Sequence, residues 1–166
     1  MENHFKLEYF TAAGIPNGIA YYTLGANAQL AGILETLNPE PGWVKVSSSA
    51  PHHGLTLVGK SIPSAMFDMD LKSELAENLI FPHLAADNQR WDSTVMACNP
   101  NPAPASITYV YYDQSGVATR ATTTILANGS LVDNLYERFG KSLGGGHLIM
   151  QSSQPITAFL LYDSSS

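Results

Sequence analysis

The sequence predicts an all-β protein: an antiparallel β-sandwich, jelly-roll-like, built from two quasi-repeats within a single domain of residues 1–166. Three observations predict it. Short segments alternate apolar and polar residues, as half-buried strands do. Thirteen Gly and ten Pro punctuate them at short intervals. A long stretch then recurs about 101 to 104 positions later, so that repeats fall at about 5–70 and 79–163, the first of them incomplete.

The recurrence is clearest in two segments. Gly42-Trp-Val-Lys-Val-Ser-Ser-Ser-Ala-Pro51 is followed by a second strand-like run through Leu55 and Leu57. Gly146-His-Leu-Ile-Met-Gln-Ser-Ser-Gln-Pro155 is followed by one through Phe159 and Leu161. Upstream, Tyr9, Gly14, Asn27, Leu30 and Leu34 correspond to Tyr111, Gly116, Asn128, Leu131 and Leu135. Gly, Asn and Pro at shared positions are turn formers, each for a backbone reason. The shared positions are scaffold. Chemistry-bearing residues differ: Trp43 falls on His147, and His52-His53 fall on Ile156-Thr157.

In chain order, residues 5–10 alternate and form a strand, residues 11–18 a turn, and Ile19–Leu24 a strand. Gln29–Leu34 is either strand or one helical turn, and 38–42 is a loop. Val44 and Val46 face one way while Lys45 and Ser47 face the other. A Ser-Ser-x-Pro turn ends that strand, and its counterpart ends the corresponding strand in the second copy. Residues 63–71 form a further strand, and 72–78 read as a polar connection. Leu79–Leu84 opens a section with no counterpart in the first copy, with Pro82 marking a strand end. Residues 85–89 form a loop, Trp91–Cys98 a strand, and the Pro-rich 99–104 a stiff turn. In the strand Ser106–Tyr112, Ile107, Tyr109 and Tyr111 share one face. Ala118–Ile125 is Thr-rich and β-prone. Leu131–Phe139 reads as one or two helical turns, and two final strands end at Tyr162.

Composition bounds the function. A net charge of −6 with eight scattered Lys and Arg argues against nucleic acid, which needs a clustered basic surface. No run reaches the ~20 apolar residues that a spanning helix needs, so no membrane insertion is expected. The first residues lack the pattern of a signal peptide. Cys98 is the one cysteine, in an apolar run with no flanking base, and reads as a core residue.

Phe81-Pro-His-Leu-Ala-Ala-Asp-Asn-Gln-Arg-Trp-Asp-Ser-Thr-Val-Met-Ala-Cys-Asn-Pro100, followed by the aromatic strand and the Gly146–Pro155 segment, resembles a repeat module of bacterial secreted and surface proteins. The likeness covers residues 79–163, with 9–59 as a partial copy, and departs at His147, where such modules carry Trp. It implies an extracytoplasmic β-sandwich, extracellular or periplasmic, and supplies no catalytic residues.

Candidate ligand-binding residues are His83, Asp87 and Asn88 beside Trp91, and the separate Trp43. Exposed Trp and Tyr faces suit sugar rings, while the structural alternative makes them core anchors with His83 and Asp87 capping a turn. No second ligand cluster completes a metal site around them. No Gly-x-Ser-x-Gly elbow, phosphate loop or dinucleotide fingerprint is present. The expectation is a non-catalytic structural or adhesive module that needs no cofactor and meets a glycan or protein partner. A carbohydrate-binding module is the alternative, and a hydrolase or metal-dependent enzyme the third reading. Sheet edges left by the incomplete first copy predict a homodimer.

Overall fold

A computed structural model describes residues 2–31, 41–52, 54–61, 64–70, 74–87 and 89–164. It is all-β, with every paired strand antiparallel, and its sheets include a curled half-barrel. Strands β1 (Asn3–Thr11), β2 (Pro16–Leu24) and β3 (Gly42–Ser48) form a sheet in the order β2-β1-β3. Strands β4 (Leu55–Ser61) and β5 (Ser64–Asp70) form a separate hairpin. The rest comprises β6 (Ala76–Phe81), β7 (Ala85–Ala86), β8 (Trp91–Cys98), β9 (Ala105–Tyr112), β10 (Ala118–Ile125), β11 (Ser130–Asn134), helix α1 (Leu135–Phe139), β12 (Leu143–Gly144) and β13 (His147–Ser164). The main sheet has the order β10-β9-β13-β8-β11, with β6 also on β13, and β7 pairs β12.

The β1–β2 and β9–β10 hairpins turn by one device. Gly14 N–H donates to the Thr11 carbonyl at 2.9 Å and Thr11 N–H to that of Ile15 at 2.9 Å. The Gly116–Asp113 and Asp113–Val117 bonds, at 3.0 and 3.1 Å, are their counterparts. Gly14 and Gly116 sit at φ of 82° and 83°, where a side chain is strained. The third strand joins in matching register: Tyr9 opposes Val44 and Leu7 opposes Val46, as Tyr111 opposes Leu148 and Tyr109 opposes Met150.

The core lies in the C-terminal half. Leu84, Val95, Ile107, Tyr109, Ile125, Leu135, Leu143, Leu148, Met150 and Ile156 are fully buried. Each large apolar side chain there contributes roughly 1.5–3 kcal/mol relative to exposure. Ile107, Tyr109 and Tyr111 do share the buried face of β9, as alternation requires, and Val110 is buried on the other. Cys98 is half-buried, and burial pushes its thiol up to about 12, so it stays protonated at neutral pH.

Several segments differ from the sequence expectation. The Ser152-Ser-Gln-Pro155 turn is absent: β13 runs unbroken for 18 residues. Its first part pairs with β9 and β6, its second with β8, and the β6 register shifts between Gln151 and Ile156. Ser153 Oγ accepts the Ser106 N–H at 2.9 Å, and the Pro155 carbonyl accepts from Asn101 Nδ2 at 2.7 Å. Side chains thus take over around the proline, and an irregularity in register replaces the turn. At the similar Ser48–Pro51 sequence the strand does end, at Ser48, and β4 begins at Leu55.

The helical turns expected over Leu131–Phe139 shrink to α1. Residues 130–134 instead pair with β8, with Val132 exposed and Asp133 buried beside it. The helix starts only where Asn134 Oδ1 caps the Glu137 N–H at 3.1 Å, and it stops at Gly140 with φ 64°. The polar connection of 72–78 ends early, because Ala76–Asn78 belong to β6. The 85–89 loop contains the short β7, held by Leu143 and Gly144. Of the 29–34 segment, Gln29, Leu30 and Ala31 are neither strand nor helix, and the remainder lies outside the described residues.

Candidate functional site

The segment between β6 and β8 is pinned from below. Leu84 and Ala86 are buried. Ser93 Oγ donates to the Ala85 carbonyl at 2.7 Å and accepts its N–H at 3.2 Å. His83 is thereby left on the surface. Asp87 then closes a turn on itself: its Oδ1 accepts the N–H groups of Gln89 at 2.9 Å, Arg90 at 2.7 Å and Trp91 at 2.9 Å. Its own N–H donates to the Trp91 carbonyl at 2.9 Å. The donors of Arg90, Trp91 and Gln89, in that order, hold the Asp87 carboxyl down at about 2. Asp87 is therefore a turn-former with one oxygen committed to backbone.

This turn presents Trp91, 41% exposed, at the start of β8. The Arg90 guanidinium lies 5.9 Å from the Trp91 ring centroid, a cation–π distance. Trp91 opposes Ser164 and Ser93 opposes Tyr162 across the β8–β13 pair. Trp91 and Tyr162 are therefore diagonal neighbours on one face, within reach of large side chains. Tyr162 is 42% exposed, its ring lies 5.9 Å from that of His83, and its hydroxyl donates to the His83 carbonyl. Burial raises that phenol above its ordinary value.

The structure thus gathers His83, Asp87 and Trp91 at one end of the main sheet and adds Arg90 and Tyr162. Asn88 lies outside the described residues. Tyr162 is 79 residues from His83, and no local pattern announces a pairing across that distance. The one usable signal was its even spacing along the last strand.

Trp43 is not part of this group. Its ring stacks on Phe10, centroids 4.7 Å apart and planes 12° apart, and its indole N–H donates to the Asn128 carbonyl at 2.7 Å. The Asn128 turn sits at the other end of β8, where Asn99 N–H meets the Gly129 carbonyl at 2.9 Å. Trp43 and Trp91 are thus separated by about the length of that strand, on the order of 20 Å. His147 takes the corresponding place, stacked on Tyr112 at 5.0 Å. His52 bonds Ser48 through Nδ1 at 2.7 Å and meets the Phe5 ring edge-on, while His53 lies outside the described residues. Among the described residues no three His, Cys, Asp or Glu side chains converge as a metal site would require.

The Trp91 end presents two partly exposed aromatic faces, an imidazole and a guanidinium, with one carboxylate oxygen of Asp87 committed to the turn. No family model matches the chain, and neither a curated protein nor a solved structure matches it.

Proposed function

We propose that the chain is a non-catalytic structural or adhesive module, a jelly-roll-like sandwich of two quasi-repeats, acting outside the cytoplasm in the extracellular or periplasmic space. The observation that carries the reading is the matched pair of three-stranded units: the same turn, register and stacked ring pair at Phe10–Trp43 and Tyr112–His147. A scaffold used twice with different side chains on it suits presentation of surface. The polar groups of the Trp91 end support it too, since Asp87 and the Tyr162 hydroxyl hold backbone. No cofactor enters this reading, and protein partners, including a second copy at a sheet edge, are its natural ligands. Beads coated with folded chain should adhere to cells or extracellular matrix proteins better than beads coated with unfolded chain. Equal adhesion would sink the adhesive reading.

A second reading, carbohydrate binding, is favoured by one observation: Trp91 and Tyr162 expose aromatic surface side by side. A glycan array, with and without calcium, tests it using wild type, Trp43→Ala and Trp91→Ala. Saturable binding lost in Trp91→Ala alone would make the module carbohydrate-binding. A hydrolase or metal-dependent role would instead require turnover that His83→Ala abolishes.

A further inference from the structure

The two three-stranded units differ in what covers them. In the C-terminal unit β13 has a neighbour on each side over residues 148–151: β9 on one edge and β6 on the other. Leu79 of β6 opposes Met150, and Phe81 opposes Leu148. In the N-terminal unit β3 pairs with β1, and among the described residues nothing pairs with its other edge. The inner faces follow suit. Leu148 and Met150 are fully buried, whereas their counterparts Val44 and Val46, with Phe5 and Leu7, are only half-buried.

The matched Tyr hydroxyls of the two central strands differ as well, although the Tyr109 hydroxyl of the covered unit is also buried without a partner among the described residues. The Tyr111 hydroxyl donates to the Gly144 carbonyl at 3.1 Å and accepts the Gly144 N–H at 3.2 Å. Its counterpart, the Tyr9 hydroxyl, is buried and has no hydrogen-bond partner among the described residues. A buried hydroxyl without a partner costs about 1–3 kcal/mol. Charge then sets the chemistry of the occupant. Ile149 faces Ile80 in the C-terminal unit, but its counterpart on β3 is Lys45, exposed. The cross-strand neighbour of Lys45 is Glu8, which is bound to Lys6 at 2.7 Å. Lys45 itself has no ion pair among the described residues.

We propose that the free edge of β3 is an acceptor for an added strand from another polypeptide, an extended segment of apolar–acidic–apolar pattern. Its apolar side chains lie beside Val44 and Val46, and its carboxylate lies opposite Lys45. Main-chain hydrogen bonds supply the attachment and the alternating side chains the selectivity, as in β-augmentation generally. The inference rests on the correspondence between the two units and names the partner of the adhesive reading.

The probe is a labelled synthetic peptide spanning Glu74–His83, the strand that β13 accepts, in three forms: unmodified, Ile80→Glu and Ile80→Lys. On the wild-type protein the Ile80→Glu peptide should bind about fivefold more tightly than the Ile80→Lys peptide, the span of a cross-strand charge pair. On Lys45→Glu protein, with folding checked by circular dichroism, the order should invert. An order that Lys45→Glu leaves unchanged would overturn the proposal, because it would place the peptide on β13 by strand exchange. Absence of saturable binding by every peptide would overturn it too. Neither result touches the bead-adhesion test, so the edge assignment and the adhesive reading fail separately.

Discussion

The sheet β2-β1-β3 and the strands β10-β9-β13 share turns and register, yet among the described residues only the second encloses a core. The difference lies in what packs on them. Around β9 and β13 stand β6, β8, Leu84, Leu135 and Leu143, and the apolar face between is sealed. Around β1 and β3, Tyr9 is the one buried apolar residue among those described. Matched backbones therefore carry unequal shares of the stability. A strand triplet defines a surface, and the elements added to it decide whether that surface becomes core or contact.

Cavity-forming substitutions test this contrast most strongly. Met150→Ala should cost about 2–5 kcal/mol in urea unfolding, and Val46→Ala at the corresponding place well under half as much. Equal losses would show that the N-terminal face is as closed as the C-terminal one. Gly42→Ala and Gly146→Ala probe what the units share, since an added Cβ would overlap the carbonyl oxygen of Phe10 in one and of Tyr112 in the other. Each should cost about 1–3 kcal/mol. A harmless Gly42→Ala beside a damaging Gly146→Ala would break the correspondence of the two third strands.

The hydroxyl pair separates the units more finely. Tyr111→Phe removes two bonds to Gly144 and should cost about 0.5–1.5 kcal/mol, while Tyr9→Phe should be neutral or slightly stabilising. A loss from Tyr9→Phe would mean that its hydroxyl is already satisfied.

The smallest effect is acid dependence. Asp113 is held below its ordinary value first by the Ser115 hydroxyl and then by the Val117 N–H, whereas its counterpart in the other hairpin is Thr11, which does not titrate. Asp87 is held at about 2. Both depressed values give stability that is full above the unfolded carboxylate range and is lost as pH falls through the folded values. Asp113→Thr and Asp87→Asn should each flatten the acid limb of a thermal-unfolding profile. An unchanged limb would assign acid sensitivity elsewhere.

Much of the strand layout was legible because it is local. Alternation marked β1, β3 and β9, and Gly14 and Gly116 marked turns that need positive φ. The Asp87 turn was readable as a cap, since an Asp followed by free N–H groups has few other uses. Legibility failed where one segment answers to two partners. Ser152-Ser-Gln-Pro155 has turn chemistry, but pairing on both sides of β13 carries the strand through it. Leu131–Asn134 has mixed spacing, and β8 decides it as strand.

Sequence alone determined the all-β class, most strand positions, several turn residues such as Gly14 and Gly116, and the likeness of two segments about a hundred residues apart, because backbone preference is set within a few residues. Only the tertiary structure decided that β6 lies on β13 while the described part of β3 keeps an open edge, that Trp43 is packed while Trp91 is presented beside Tyr162, and that one Tyr hydroxyl of a matched pair lacks a partner among the described residues. These outcomes depend on which distant strands compete for the same edge, a comparison that no local stretch of sequence contains.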